Sequence, residues 1–425
     1  MEAIRRLSVM TLSSRVFLKG ISQNVALNKR GHSPMWGRSS MRGYYAIKYP
    51  VLEGHAHVRV VDLRTDAVNI PVPAVLRAMG AAAGNGEVHV TELQKMAADM
   101  CGMEDALLVP TATMGNLIAV MAHCSERGDE MIVGDLSHLH MYEQGGSAQV
   151  AGIHTTTVTT LPDGTFDLEQ LESRIRLGYP LTYYCHTRLI CLENTHNAQG
   201  GRVMPLSFLQ DVRALADRYG LSVHMDGARV VNAAVAQGVP LSTILQHTHS
   251  VTISLCKVLG SPAGAILAGP RDYIKRAKRC CRVLGGSLAK AGVLGAAGKV
   301  SLQHSIMMGR LEQDHRNAKI FAQAVHDCDL FTLDMASVET NIVLFYLNGC
   351  SWSPSEFCDR MGMVCEKEKA VLGQQIQVPM YPFYGNSIRA VWHPMVTAED
   401  TQLAIKKLHF VISQYMEEKP RAIKA

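Results

Sequence analysis

The stretch Pro205–Arg229 reads PLSFLQDVRALADRYGLSVHMDGAR, and it decides the fold class. Apolar residues repeat at helical spacing between Pro205 and Gly220, which predicts a helix that proline opens and glycine closes. The next residues, Leu221–Met225, form a short and mostly apolar run typical of a buried strand, and an acid, Asp226, follows it. A helix that leads into a buried strand is the repeating unit of a mostly parallel sheet.

The same alternation extends outward from this stretch in both directions. Further strands are predicted at Ala106–Pro110, Met131–Asp135, Arg188–Glu193, Val251–Leu255 and Gly264–Leu267. Beyond residue 310 the pattern changes to a long helix near Lys299–Asp314, strands at Thr340–Leu347 and Ile388–Trp392, and a terminal helix at Ala398–Glu418. The sequence therefore predicts an α/β protein with a large domain over residues 56–310 and a smaller α+β domain over residues 311–425.

The composition excludes several classes of protein. Of the 425 residues, 47% are apolar and 19% charged, which is typical of a globular chain and not of a disordered one. No run approaches the roughly 18 consecutive apolar residues of a membrane-spanning helix, so no membrane partner is expected. The eleven cysteines form no CxxC pair, which favours free thiols in a reducing compartment over disulfides or a metal site.

Positive charge is concentrated at the start of the chain. The net charge is +5, yet residues 1–50 alone contain nine Lys and Arg against one acid, Glu2. The remainder is slightly acidic, which argues against nucleic acid as a partner. Residues 1–55 therefore resemble a mitochondrial presequence, with a disordered basic arm as the alternative. The expected location is the mitochondrial matrix, with the cytosol as the alternative.

Functional side chains in open α/β sheets gather beyond the carboxyl ends of the strands. After the first predicted strand, Ala112 and Thr113 open a helix whose backbone N–H groups suit a phosphate, although an ordinary threonine-capped helix gives the same pattern. His138 follows the second strand and His196 the third, where a ring-stacking or acid–base group and a purely structural histidine both remain open.

Two further strand ends complete the pattern. Asp226 suits a carboxylate that holds a protonated ring nitrogen, and Lys257 follows the next strand. A partly desolvated lysine has a lowered pKa and can form a Schiff base, whereas the alternative is a surface lysine. The order of phosphate site, histidine, aspartate and lysine is what a pyridoxal phosphate enzyme requires.

With these residues in view, the sequence resembles the low-specificity L-threonine aldolases of the β-eliminating lyase/threonine aldolase family. The matching segments are Asp62–Asp66 (DLRTD), Thr113–Asn116 (TMGN), Asp135–Gly146 (DLSHLHMYEQGG), Leu192–Gly201 (LENTHNAQGG), His224–Arg229 (HMDGAR) and Ile388-Arg389. The resemblance implies the pyridoxal phosphate-dependent transferase-like fold type I, an amino-acid substrate and a homo-oligomer, usually a tetramer.

The resemblance also implies roles for individual residues. Lys257 would bind the cofactor covalently, Asp226 would face its ring nitrogen, and His138 would stack on its ring. The remaining implied residues are Ala112, Thr113 and Arg229 for the cofactor, and Thr65, Arg389, His196 and Tyr142 for the substrate. The implied catalytic set is Lys257, His138, His196 and Asp226, with no metal.

The implied reaction is retro-aldol cleavage of L-threonine or L-allo-threonine to glycine and an aldehyde, in threonine catabolism and glycine biosynthesis. His138 or His196 would remove the β-hydroxyl proton, directly or through water. Two alternatives remain open. Trp392 and the altered Gly80–Glu92 stretch (GAAAGNGEVHVTE, with Asn85 in place of tyrosine) are compatible with another pyridoxal phosphate lyase or a racemase. Ala289, in place of a family arginine, and the shortened Gly80–Glu92 stretch are compatible with a catalytically impaired assembly partner.

Overall fold

The computed structural model describes residues 58–82, 86–177, 182–307 and 309–418. The predicted presequence, residues 1–55, and Asn85 lie outside these ranges. The strands are β1 Val58–Val60, β2 Asp105–Val109, β3 Asp129–Gly134, β4 His154–Val158, β5 His186–Glu193, β6 Ser222–Asp226, β7 Ser250–Ser254, β8 Ala265–Gly269, β9 Phe331–Thr332, β10 Ile342–Leu347, β11 Gln375–Gln377, β12 Tyr381–Phe383 and β13 Ser387–Val391.

The helices are α1 Pro73–Ala81, α2 Gly86–Cys101, α3 Ala112–His123, α4 His138–Met141, α5 Gly146–Gln149, α6 Leu168–Arg174, α7 Leu206–Tyr219, α8 Val230–Gln237, α9 Leu241–Leu245, α10 Arg271–Val283, α11 Gly292–Met307, α12 Arg310–His326, α13 Pro354–Gly362, α14 Glu366–Leu372 and α15 Ala398–Glu418. Within the described ranges, no helix combines the length and the apolarity that crossing a bilayer requires.

A seven-stranded sheet in the order β2-β8-β7-β6-β5-β3-β4 forms the centre of the fold. The five strands from β7 to β4 are parallel, and β8 runs antiparallel to both of its neighbours. Every residue of β3, β7 and β8 is buried, as expected for a sheet covered by helices on both faces. The predicted α/β class with a mostly parallel sheet is confirmed.

The stretch that decided the fold class folds as predicted. α7 connects β5 to β6 and buries Leu209, Val212 and Leu215 on one face. Gly220 ends it in the left-handed conformation with φ of 66°, which a glycine adopts without strain. This crossover places the end of β6 beside the end of β5.

The C-terminal residues form a second sheet, which packs against helices. A four-stranded antiparallel sheet, in the order β12-β13-β10-β9, packs with α12 and α15 around a separate apolar cluster. β1 pairs in parallel with β11, so residues 58–60 lie with the C-terminal elements although the sequence assigns them to the 56–310 region. The boundary between the two predicted domains stays a prediction.

The single long helix expected near Lys299–Asp314 is wrong. α11 ends at Met307 and α12 begins at Arg310. Gly309, between them, has φ of 59° and so lies in the left-handed region that interrupts a right-handed helix. The apolar spacing on either side of Gly309 gives no sign of this break.

Candidate active site

The predicted site residues meet at the carboxyl edge of the central sheet. β5, β6 and β7 are parallel neighbours, and Glu193 at the end of β5 lies opposite Asp226 at the end of β6. Lys257 comes three residues after β7 ends, and His138 follows β3 at the start of α4. A His138 ring nitrogen and an Asp226 carboxylate oxygen lie within 4.8 Å of each other, so residues from the ends of β3 and β6 come together.

The chain turns sharply after Asp226 because Gly227 has no side chain. A Cβ atom at Gly227 would lie 2.7 Å from a methyl group of Val251 and 3.1 Å from the carbonyl oxygen of Thr252. The Gly227 N–H donates instead to that carbonyl over 2.8 Å. Glycine therefore lets the backbone after Asp226 run against β7.

The Asp226 carboxylate is held by neutral donors. Its Oδ2 accepts a 2.9 Å hydrogen bond from Nδ2 of Asn116 in α3, and its Oδ1 accepts from the Ala228 N–H over 3.0 Å. Both Asp226 and Asn116 are buried. A buried carboxylate whose partners carry no charge is suited to hold a cationic ligand group.

His138 is joined to a buried carboxylate. Its Nδ1 lies 2.9 Å from Oε1 of Glu143, which also accepts from Nδ2 of Asn116 over 2.9 Å. The His138 backbone N–H donates to Oε2 of Glu193 over 2.5 Å. His138 is therefore held at both its main chain and its side chain. Burial acts to lower the pKa of His138, but the hydrogen bond to Glu143 and the negative charge of Asp226 outweigh it and raise the pKa.

Arg229 forms a two-pronged ion pair with Asp66. Its Nε and Nη2 donate to the two carboxylate oxygens over 2.6 and 2.9 Å, and both side chains are buried. Burial alone would raise the pKa of Asp66, but the charge and hydrogen bonds of Arg229 hold that pKa well below its usual range. Asp66 is therefore ionised, and the pair fastens the N-terminal segment to the end of β6.

A second arginine reaches the same place from β13. Arg389 Nη1 donates to Oδ1 of Asn197 over 2.8 Å, and Nη1 of Arg229 donates to the same oxygen over 3.3 Å. Arg389 Nη2 also donates to the carbonyl oxygen of Arg64 over 3.3 Å, which brings Thr65 to this region. The Thr65 hydroxyl oxygen accepts from the Ala67 N–H over 3.2 Å. The two arginines predicted at the site thus share Asn197.

Lys257 lies inside this group of charges. Burial lowers the pKa of Lys257, the nearby charge of Arg229 lowers it further, and Asp66 and Asp226 oppose the shift. Among the described residues, no hydrogen bond or ion pair holds its Nζ atom. A lysine with a depressed pKa is more often neutral and so more nucleophilic, as the sequence predicted.

The remaining predicted residues follow β2, β3 and β5 along the chain. Ala112 and Thr113 are the first residues of α3, which Thr111 caps by accepting from the Met114 N–H over 3.1 Å. The ring of Tyr142 lies 5.5 Å from that of His138. His196 is buried, and in the described part of the chain its Nδ1 finds no hydrogen-bond partner.

Two residues that suggested a different function lie away from these groups. Trp392 is fully buried in the C-terminal apolar cluster, where its Nε1 donates to Thr401 over 3.1 Å and its ring contacts Phe321. Trp392 is therefore a core residue, and it gives no reason to expect another reaction. Ala289 is exposed in the connection between α10 and α11.

Five further polar residues contact the predicted site residues, although the sequence alone assigned them no role. They are Asp66, Asn116, Glu143, Glu193 and Asn197, and each is a polar residue within a segment that carried the family resemblance. All five bond to residues predicted at the site. The available signal was that a carboxylate or amide buried near charged groups must find partners.

Comparison with known proteins places the chain in a family. The family model described as beta-eliminating lyase matches residues 62–348. Low-specificity L-threonine aldolase 1 of Arabidopsis thaliana is 37% identical over 367 residues, which covers 85% of this chain and 96% of that protein. The low specificity L-threonine aldolase of Escherichia coli (strain K12) is 38% identical over 289 residues, covering 67% of this chain and 84% of that one.

Solved structures support the same fold. The crystal structure of a putative L-allo-threonine aldolase from Listeria monocytogenes has a TM-score of 0.66 at 20% identity, with 82% of this chain and 96% of that chain covered. A threonine aldolase from Leishmania major has a TM-score of 0.65 at 19% identity, with 82% and 99% covered. At this identity the likeness shows the fold, which is the predicted type. The family match and the identity of its relatives show that the chain belongs to the beta-eliminating lyase family.

Proposed function

We propose that this protein is a pyridoxal 5'-phosphate-dependent aldolase, a carbon–carbon lyase that cleaves L-threonine and L-allo-threonine to glycine and acetaldehyde. The observation that carries the proposal is the arrangement at the carboxyl edge of the central sheet. There a His138 ring nitrogen and an Asp226 carboxylate oxygen lie within 4.8 Å of each other, and Lys257 follows β7, the neighbour of β6. Arg389 reaches this edge from β13 through its hydrogen bond to Asn197. Relatives that cover 85% and 67% of this chain are named as low-specificity L-threonine aldolases, which supports the same reaction.

The residues at this edge fit the cofactor. Lys257 Nζ would hold it covalently, and Asp226, whose hydrogen bonds come from neutral donors, would face the ring nitrogen. The N–H groups of Ala112 and Thr113 would bind its phosphate at the start of α3, while His138 and Arg229 would border the ring. Bound there, pyridoxal phosphate supplies a ring that accepts the electron pair released when the Cα–Cβ bond breaks.

The protein's own groups then orient the substrate. Arg389 would bind the amino-acid carboxylate, because its guanidinium is held by Asn197 and by the carbonyl of Arg64. Thr65 follows Arg64 directly and would contact the same carboxylate. A fixed carboxylate restricts which Cα bond can align with the ring, and that alignment selects the bond that breaks.

The β-hydroxyl proton must leave as the carbon–carbon bond breaks. His138 and His196 are the two groups that could accept it, directly or through water. His138 is held by Glu143 and lies beside Tyr142, which would contact the substrate side chain. A positioned general base contributes about 10²- to 10⁴-fold to the rate.

The deciding experiment measures glycine and acetaldehyde formed from L-allo-threonine by the full chain supplied with pyridoxal phosphate. We expect product from the wild type and none above background from Lys257→Ala. Lys275→Ala is the matched control, because Lys275 is an exposed lysine paired with Asp272, and it should leave activity unchanged.

The same assay separates the alternatives. 2-Oxobutanoate with ammonia as the main product would indicate β-elimination by another lyase, and D-threonine, the Cα epimer, would indicate a racemase. If the protein binds the cofactor but forms no product from any substrate, it would be an assembly partner, and the aldolase proposal would be refuted.

We further propose a homotetramer in the mitochondrial matrix. The excess of basic residues in the first 50 positions supports the location, and the resemblance supports the tetramer. Large apolar side chains at Ile70, Leu76 and Val88 are exposed in one chain, which fits burial against a second copy. Cell fractionation and sedimentation velocity test these two proposals; a cytosolic monomer would refute both.

A further inference from the structure

A buried glutamate links the residues of the site in a way that the proposed reaction does not yet use. The Glu143 side chain is only 6% exposed, and its Oε1 lies 2.9 Å from His138 Nδ1 and 2.9 Å from Asn116 Nδ2. The side-chain hydrogen bonds of Glu143 in the described ranges are with these two residues. We therefore expect Glu143 to act on the reaction through them.

Asn116 fixes the direction of the whole network. Its Nδ2 lies 2.9 Å from Asp226 Oδ2 as well as from Glu143 Oε1, and a carboxylate can only accept. Both N–H bonds of the amide are therefore committed, and its Oδ1 faces His224 Nε2 over 3.3 Å. The amide separates two carboxylates that would otherwise repel each other and gives each of them a donor.

The hydrogen bond to Glu143 sets the tautomer of His138. Its Nδ1 faces a carboxylate oxygen, so Nδ1 must carry a hydrogen and donate it. In the neutral ring Nε2 then carries the lone pair that can accept a proton. The His138 side chain is 34% exposed, so it is not closed off from a substrate. His196, by contrast, has no such partner on its Nδ1 among the described residues.

We propose that Glu143 is a positioning residue that holds His138 as the Nδ1–H tautomer, so that Nε2 is the nitrogen that exchanges a proton with the substrate. Asn116 supports this arrangement by donating to Glu143 and Asp226 together. The inference rests on the proposed aldolase function and specifies which atom of which histidine acts. It is the arrangement of an orienting carboxylate, an imidazole and a reacting group.

The charges around His138 come from several elements. Glu143, Asp226 at the end of β6 and Glu193 at the end of β5 all favour its protonated form, and Lys257 opposes it. Burial raises the pKa of Glu143, and its bonds to His138 and Asn116 act against that rise. Removing the Glu143 charge should therefore lower the pKa of His138 and move the acid limb of the activity profile to lower pH.

The test compares pH profiles of kcat and kcat/KM for the holoenzyme with L-allo-threonine. For Glu143→Gln we expect kcat to fall about 10- to 100-fold, because the base is weaker and the amide can stabilise the wrong tautomer. The acid limb should move to lower pH. Glu143→Asp keeps the charge and should restore the limb toward its wild-type position, and the surface variant Glu172→Gln should match the wild type.

A double variant distinguishes positioning from folding. In a His138→Phe background, Glu143→Gln should lower kcat by no more than about twofold, because its effect passes through the missing imidazole. An unmoved acid limb, or an undiminished loss of kcat in the His138→Phe background, would overturn the inference. Failure of the proposed function looks different, since the wild type itself would then form no more glycine than Lys257→Ala.

Discussion

The ion pair between Asp66 and Arg229 gives the sharpest prediction about stability. Asp66 is 0% exposed and Arg229 is 5% exposed, with Nε and Nη2 donating over 2.6 and 2.9 Å. Asp66→Asn keeps the shape of the side chain but removes its charge. It leaves the Arg229 guanidinium buried without its hydrogen-bonded carboxylate.

The size of the loss follows from that burial. Two unit charges about 4 Å apart attract by about 4 kcal/mol at an effective dielectric constant of about 20. Breaking one side of a buried pair costs about 3–5 kcal/mol, because the remaining charge stays desolvated. We therefore expect Asp66→Asn to lower the free energy of unfolding by about 3–5 kcal/mol, a large share of the total for any protein.

Urea unfolding followed by circular dichroism measures this loss. Asp272→Asn is the matched control, because Asp272 forms an exposed pair with Lys275, and it should leave the midpoint unchanged. The double variant Asp66→Asn/Arg229→Gln should recover part of the loss, since no unpaired charge remains. A change below about 1 kcal/mol in Asp66→Asn would refute the reasoning.

The stabilisation by the Asp66–Arg229 pair should be lost at low pH. Arg229 lowers the pKa of Asp66 in the folded protein, so the pair stabilises fully above the unfolded carboxyl pKa of about 3.9. Its contribution disappears as the pH falls from that value toward the depressed folded pKa. The difference between wild type and Asp66→Asn should therefore be constant near neutral pH and shrink only in acid.

Two further variants test binding and packing. Arg389→Lys should raise KM for L-allo-threonine about 10- to 100-fold, because losing a charge-assisted hydrogen bond costs about 1.5–3 kcal/mol. Steady-state kinetics measure this change, with Arg218→Lys, an exposed arginine, as the control. An unchanged KM would contradict the role assigned to Arg389. Gly227→Ala should destabilise the protein by about 1–3 kcal/mol and weaken cofactor binding, because its Cβ would lie 2.7 Å from Val251. Gly80→Ala, where a Cβ meets nothing within 4 Å, is its control in thermal unfolding, and equal melting temperatures for the two would contradict the packing argument.

Most of the sheet could be predicted from the sequence because its central strands are short apolar runs bounded by turn residues. β4 was missed because His154–Val158 (HTTTV) contains one apolar residue and lies at the edge of the sheet. The three-residue strand β1 was missed because its pairing with β11 joins positions more than 300 residues apart. Local periodicity carries no information about such a distant partner.

The site also contains residues that the sequence predicts and residues that it does not. Asp226, His138 and Lys257 could be predicted because each follows a strand, and parallel strands bring their ends together. Asn116 could not be given a role, because its contacts require α3 to lie close against β7. That approach depends on Gly115, where a Cβ would lie 2.7 Å from Thr252, and no local pattern reveals it.

The distribution of hydrogen bonds explains why the site needs several carboxylates rather than one. Asp66 is committed to Arg229, and Glu193 accepts from the backbone N–H groups of His138 and Asn197. Glu143 is committed to His138, whereas the two donors to Asp226 are the uncharged Asn116 amide and the Ala228 N–H. If Arg229 lacked Asp66, its charge would compete for Asp226 and weaken the hold of Asp226 on a protonated ring nitrogen. On the proposed function, the pair between Asp66 and Arg229 would therefore matter to catalysis as well as to stability, because it would leave the charge of Asp226 available to the cofactor.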